Sequence, residues 1–149
     1  MNEVNEQLPP RLQEIVEDFQ IIQGREKLEY LLEFAEGLPS LPDWLAARRE
    51  EMSQVHECMT PVFIYADSED GRMHYYLDVP PESPTVRGYA AILGEGTAGL
   101  SPREVLAIPD EFYLDMGLQN VLSGQRLSGL GAILRYIKRL AREHLNGKM

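Results

Sequence analysis

The sequence predicts an α+β fold: a small antiparallel β-sheet with helices packed on it. Three observations point there. Apolar residues recur at helical spacing before residue 50 and again after residue 83. Between them, residues 61–79 switch to a period of two. The order is helices, sheet, helices, rather than the alternation of a doubly wound fold. A length of 149 residues suggests one domain spanning 1–149, with 1–8 as a flexible N-terminus.

Each element has a local reason. Pro9-Pro10 opens a first helix, where a missing N–H does no harm. Leu12, Ile15, Val16, Phe19 and Ile22 then share a face, and Gly24 can end it. A second helix puts Leu28, Leu31, Leu32 and Ala35 inward and stops at Gly37, making a helical hairpin. Leu38-Pro39-Ser40-Leu41-Pro42 is a stiff link, after which Asp43 can cap a short helix to about Glu50. Trp44 is expected to be a packing anchor. Val62 to Ala66 reads as a strand and Ser68 to Gly71 as a turn, with Gly71 suited to positive φ. Met73, Tyr75, Leu77 and Val79 alternate with Arg72, His74, Tyr76 and Asp78, as in a half-buried strand.

Helices then return. Ser83 and Pro84 suit an N-cap and first helical position, for a helix to about Gly94. The glycine-rich run Gly94 to Gly99 reads as a flexible helix end; it lacks the lysine and context of a phosphate loop. Ser101-Pro102-Arg103-Glu104 is a capping box. Asp110 can cap a short helix that stops near Gly117. The last helix spans about Gln125 to Leu145, with Leu130, Ile133, Leu134, Ile137, Leu140 and Ala141 as its buried stripe.

Composition excludes several functions. The net charge of −10 argues against broad nucleic-acid binding, which needs a basic footprint. No apolar run approaches a membrane span. The polar, acidic start is not that of a signal or transit peptide, which favours a cytoplasmic location. The charge is uneven. Arg126, Arg135, Lys138, Arg139, Arg142 and Lys148 oppose only Glu143 in residues 124–149, as on the solvated basic face of a helix or on a docking surface.

Cys58 is the only cysteine, so no internal disulfide or multi-thiolate metal site is possible. His56, Cys58 and His74 could converge across the hairpin, but no metal-binding spacing is present. His144, near a helix C-terminus, reads as structural. Cys58 beside His56 lacks the signature of a thiol hydrolase. Asp67, Glu69 and Asp70 are turn residues. From residues alone, Cys58 is first a small buried hydrophobe, set against its irregular, polar surroundings of His56, Glu57 and Thr60.

A family resemblance reverses that order. The segment Tyr30 to Pro42, YLLEFAEGLPSLP, resembles the "YLIELG…LPPLP" segment of SufE-like proteins, and a single cysteine before a strand follows in both. Glu82 to Leu93 is similar to their "DSxxVKGLxAxL", Ser101 to Leu106 to "TPxEIL", and Leu122 to Leu130 to "LSxSRSxGLxAM". The matches occur in order from about residue 12 to 142.

The resemblance implies a fold like that of SufE and of IscU-type scaffolds. It implies a sulfur carrier without a cofactor of its own. A pyridoxal-phosphate cysteine desulfurase would hand persulfide sulfur to Cys58 and be stimulated, and an iron–sulfur scaffold protein would receive it. Position for position, Cys58 matches the acceptor, Arg126 the arginine near its loop and Glu82 an aspartate before the helix. Arg126, or His56 if protonated, could favour the thiolate. Family members usually have glycine before the cysteine and glutamine-serine after it; here Glu57, Met59, Thr60 and Pro61 flank it. The alternative expectation is a divergent binding module of the same fold, regulating a partner with Cys58 buried.

Overall fold

The computed structural model describes residues 8–147. The expected flexible N-terminus falls on residues 1–7, outside the described residues; Leu8, the last of that segment, is buried. Helix α1 is Pro10–Ile21 and α2 is Arg25–Glu36. Next come a short helix α3, Asp43–Ala46, and a 3-10 turn at Arg49–Glu51. The sheet has three strands, β1 (Ser53–Gln54), β2 (Phe63–Glu69) and β3 (Arg72–Asp78), antiparallel in the order β1-β2-β3. Helices α4 (Pro84–Thr97), α5 (Pro102–Leu106) and α6 (Gly124–Leu145) complete the chain, with 3-10 turns at Phe112–Leu114 and Leu118–Asn120. The architecture is α+β, as expected.

The hairpin forms as the alternation requires. Ile64, Ala66, Met73, Tyr75 and Leu77 are buried, while His74 and Asp67 point outward as a cross-strand pair. Glu69 pairs with Arg72, leaving a two-residue turn with Asp70 at φ 53° and Gly71 at φ 78°. Both angles are positive, as the tightest right-twisted hairpins demand. Strand β1 has no counterpart in the sequence reading. It is only two residues long, too short for a period to show, and it exists because Ser53 and Gln54 pair with Ile64 and Phe63.

Helix α4 runs through the middle of the core. It is buried on nearly every side, so it shows no clean amphipathic stripe. The expectation of a flexible helix end at Gly94–Gly99 is corrected: α4 continues to Thr97, whose hydroxyl donates to the Leu93 carbonyl at 2.6 Å. Gly96 is there for closeness, because a Cβ on it would lie 2.2 Å from Leu12 Cδ2 of α1. The chain turns only at Gly99, where φ is +80°.

Three other local expectations change. The inward edge of α2 is Lys27, Leu31 and Ala35, with Leu28 and Leu32 only half-buried. Lys27 is tolerated inside because its ammonium donates to the carbonyls of Phe19 and Met116, both left open at chain bends. Burial lowers its pKa. Asp43 does not cap a helix to Glu50; it is the first helical residue, and the helix ends at Ala46 before Arg48 at φ −131°. Asp110 caps nothing: its carboxylate accepts from Lys138 at 2.7 Å, and a single 3-10 turn follows. Trp44 packs edge-on against Tyr65 and Tyr76 on the outer face of the sheet, yet stays 43% exposed.

Candidate functional site: the Cys58 loop

β1 and β2 form a hairpin whose connection is residues 56–61. The Val55 N–H donates to the Val62 carbonyl at 2.9 Å, and both valines are fully buried. The loop is therefore pinned at its base. Beyond that base His56, Glu57, Met59 and Pro61 are exposed, Thr60 is half-buried, and Cys58 turns furthest into the protein, 7% exposed.

The loop is held lightly. The Cys58 N–H donates to the Val55 carbonyl at 3.3 Å, the Thr60 hydroxyl donates to Ser83 Oγ at 3.2 Å, and the Gln125 amide reaches the Met59 sulfur. The thiol's seat is made by α6. A Cβ on Gly129 would lie 3.2 Å from Cys58 Sγ, so glycine leaves just enough room for the sulfur. Burial pushes the thiol pKa up, partly offset by the Thr60 backbone N–H directed at the sulfur.

Cys58 lines a cavity of about 220 Å³ with Thr60, Glu82, Ser83, Gln125, Arg126 and Gly129 among its walls. Arg126 enters because Ser123 caps α6: its Oγ accepts from the Arg126 N–H at 3.3 Å, which sets the first turn beside the loop. The guanidinium donates to Thr85 Oγ1 at 2.6 Å from the facing end of α4. Ser83 stands at the N-cap position of α4 without a capping bond; its hydroxyl serves the loop instead.

Three of the four sequence-derived site residues thus share one cavity: Cys58, Arg126 and Glu82. His56 does not line it and is exposed on the outer side of the loop. His74 lies on the outer face of the sheet against Tyr76, and His144 Nδ1 lies 3.2 Å from the Leu140 carbonyl. Among the described residues no group of three or more His, Cys, Asp or Glu side chains could hold a metal ion. Gly129, Ser83 and Thr85 do not stand out as site residues in the sequence. Gly129 lies inside a quoted motif, but nothing local says that a glycine there faces a sulfur.

Fold and site together define an α+β protein that carries one sheltered thiol on a hairpin loop beside an arginine. The chain belongs to the SufE family, described as an Fe-S metabolism associated domain, whose match covers residues 13–141. It is 43% identical over 137 residues to an uncharacterised SufE-like protein of Mycobacterium tuberculosis, covering 91% of this chain and 94% of that one. It is 33% identical over 137 residues to the chloroplastic/mitochondrial SufE-like protein 1 of Arabidopsis thaliana, covering 91% of this chain and 36% of that longer protein. The solution structure of a hypothetical protein from Thermus thermophilus is similar at a TM-score of 0.81 and 37% identity, covering 93% of this chain and 98% of that one. Membership connects the chain with iron–sulfur metabolism. Among the described residues no helix is long and apolar enough to cross a membrane.

Proposed function

We propose that the chain acts as one cytoplasmic domain that accepts sulfur on Cys58 from a cysteine desulfurase, stimulates that enzyme, and passes the sulfur on for iron–sulfur cluster assembly. The observation that carries this reading is the seat of the thiol: Cys58 alone of its exposed loop is tucked against Gly129, in a cavity shared with Arg126 and Glu82. A relay needs a sulfur that is sheltered between transfers and presented during them.

The step balances without an oxidant. The Cys58 thiolate attacks the terminal sulfur of the donor's persulfide. The new S–S bond forms as the old one breaks, the donor leaves as a thiolate, and Cys58 becomes a persulfide. The loop must open first. Opening gives up one buried thiol and the loop's hydrogen bonds to Ser83 and Gln125, a cost of about 2–4 kcal/mol. The open form is then populated at about 0.1–3% without a partner. Arg126 would stabilise the anionic sulfur, the exposed His56 would meet the donor, and Glu82 would order the cavity rim. The partners are a pyridoxal-phosphate cysteine desulfurase and an iron–sulfur scaffold protein.

The test is direct. The protein is incubated with a cysteine desulfurase of its own organism and free cysteine, and the intact chain is weighed. A gain of one sulfur atom, absent in Cys58→Ser, is expected. No sulfur on Cys58 with any such desulfurase sinks the reading.

The burial of Cys58 and its raised pKa favour a second reading. In it the chain is a binding module that keeps the fold and regulates a partner through its surface. Sulfur-free Cys58, together with stimulation of a desulfurase that survives Cys58→Ser, would select it.

A further inference from the structure

A second cavity, of about 560 Å³, shares no lining residue with the Cys58 site. It runs along the outer edge of β3. Phe34, Leu38 and Leu41 wall one side, and Ala91 and Gly94 of α4 the other.

The edge itself decides what fits. The Met73 N–H donates to the Leu100 carbonyl at 2.7 Å, and the Met73 carbonyl accepts from the Gly99 N–H at 2.9 Å. Met73 therefore directs its backbone groups away from β2. In an antiparallel ladder every second residue does the same, so Tyr75 and Leu77 also face outward. At the far end the Val79 carbonyl accepts from Arg87. Both ends of the edge are thus satisfied, and the stretch between them is not. Among the described residues no hydrogen bond reaches the backbone N–H or C=O of Tyr75 or Leu77. Both residues line the cavity, and both are at most 5% exposed. An unpaired strand edge that faces a cavity is a template on which another strand can pair.

We propose that this groove binds an extended polypeptide segment of a partner protein, which adds a short strand to β3. Only a backbone supplies donors and acceptors at the spacing that Tyr75 and Leu77 require. The strand continues the pairing that Gly99 and Leu100 begin at Met73. Partner residues opposite Tyr75 and Leu77 turn their side chains toward Ala91, Gly94 and Phe34, so they are apolar and of modest size. Glu33 and Glu95 stand at the cavity. Arg11 already engages Glu95, which leaves Glu33 to attract a flanking lysine or arginine. The acidic body of the protein, at a net −10, selects in the same direction. The inference stands whether or not Cys58 carries sulfur.

The experiment follows the Tyr75 and Leu77 amides of the full chain by NMR. In the free protein both exchange with solvent faster than the amides of His74 and Tyr76, which pair with β2. Adding acetyl-KVTVK-amide slows both by about tenfold or more at saturation. The same peptide N-methylated at its pairing amides does not. Glu33→Lys weakens binding about threefold or more. Slow exchange in the free protein would mean that the chain's own residues cover the edge, and overturns the proposal. So does exchange that the peptide leaves unchanged, or equal binding of the N-methylated peptide. Binding that Glu33→Lys does not alter overturns the basic character assigned to the occupant.

Discussion

Strand β2 turns into an antiparallel neighbour at both ends, and the two connections are built in opposite ways. Toward β3 the turn is Asp70-Gly71, with both residues at positive φ and the pairing unbroken from Glu69 to Phe63. Toward β1 the connection is residues 56–61, the strand beyond it is two residues long, and a single valine–valine bond closes the base. The first is fixed by backbone angles that few residues adopt. The second is fixed by what its side chains touch on distant helices: Cys58 at Gly129, Thr60 at Ser83 and Met59 at Gln125. A turn set by dihedrals has one state. A loop held by side-chain contacts can open when those contacts are lost.

Native labelling of Cys58 by a thiol reagent reads this difference. The largest effect is expected from Gly129→Val. Its branched side chain occupies the sulfur's seat, where even a Cβ would be 3.2 Å away. Labelling should accelerate about 100-fold, the loss of nearly all the loop's closing free energy, while circular dichroism shows the helices intact. Slow labelling in that variant would mean the loop is held by something other than the thiol.

The next effect is that of pH. Because burial raises the thiol pKa, the thiolate fraction near neutrality is depressed. Native labelling should keep rising beyond the free-thiol midpoint of about 8.5, and in Gly129→Val the profile should move down toward that value. The sign for stability is the reverse of an ion-paired carboxylate's gain at high pH. The fold prefers the neutral thiol, so stability falls as pH rises from the unfolded to the folded pKa. A native profile identical to that of the unfolded chain would break the link between burial and reactivity.

Glu57→Gly should act more mildly. It frees the backbone beside the thiol, raising labelling about threefold. The smallest effect on Cys58 is expected at the other end of β2. Gly71→Val should cost about 1–2 kcal/mol in denaturant unfolding, because a branched residue resists φ of +78°. Native labelling should stay unchanged. If Gly71→Val accelerated labelling as strongly as Gly129→Val, the two connections would not be independent.

Elements with a repeating side-chain pattern were legible. Helix α6, the α1 face from Leu12 to Phe19 and the β2–β3 alternation appear where the periods placed them, because each period reports which face is buried; Ile22, read onto that face, lies just past the helix and is half-buried. Failures came where contacts between distant segments decide. Gly94 and Gly96 look like a helix end and are instead where β3 and α1 approach α4. Leu28 and Leu32 read as inward and are only half-buried, while Lys27 is buried on that edge because two open carbonyls meet its ammonium. At the site, Cys58, Arg126 and Glu82 can be chosen from ordered motifs, and they do converge. His56 is suggested by its closeness in sequence and faces the other way.

By itself the sequence determined the α+β class, the positions of the long elements, the family and the presence of a single thiol. These follow from local periodicity, ordered motifs and residue identity. Only the tertiary structure decided that Cys58 rests inward against Gly129, that Ser83 serves the loop rather than its own helix, and that the β3 edge is left open at Tyr75 and Leu77. Each depends on how closely two remote segments pack, and that distance has no signature in either segment alone.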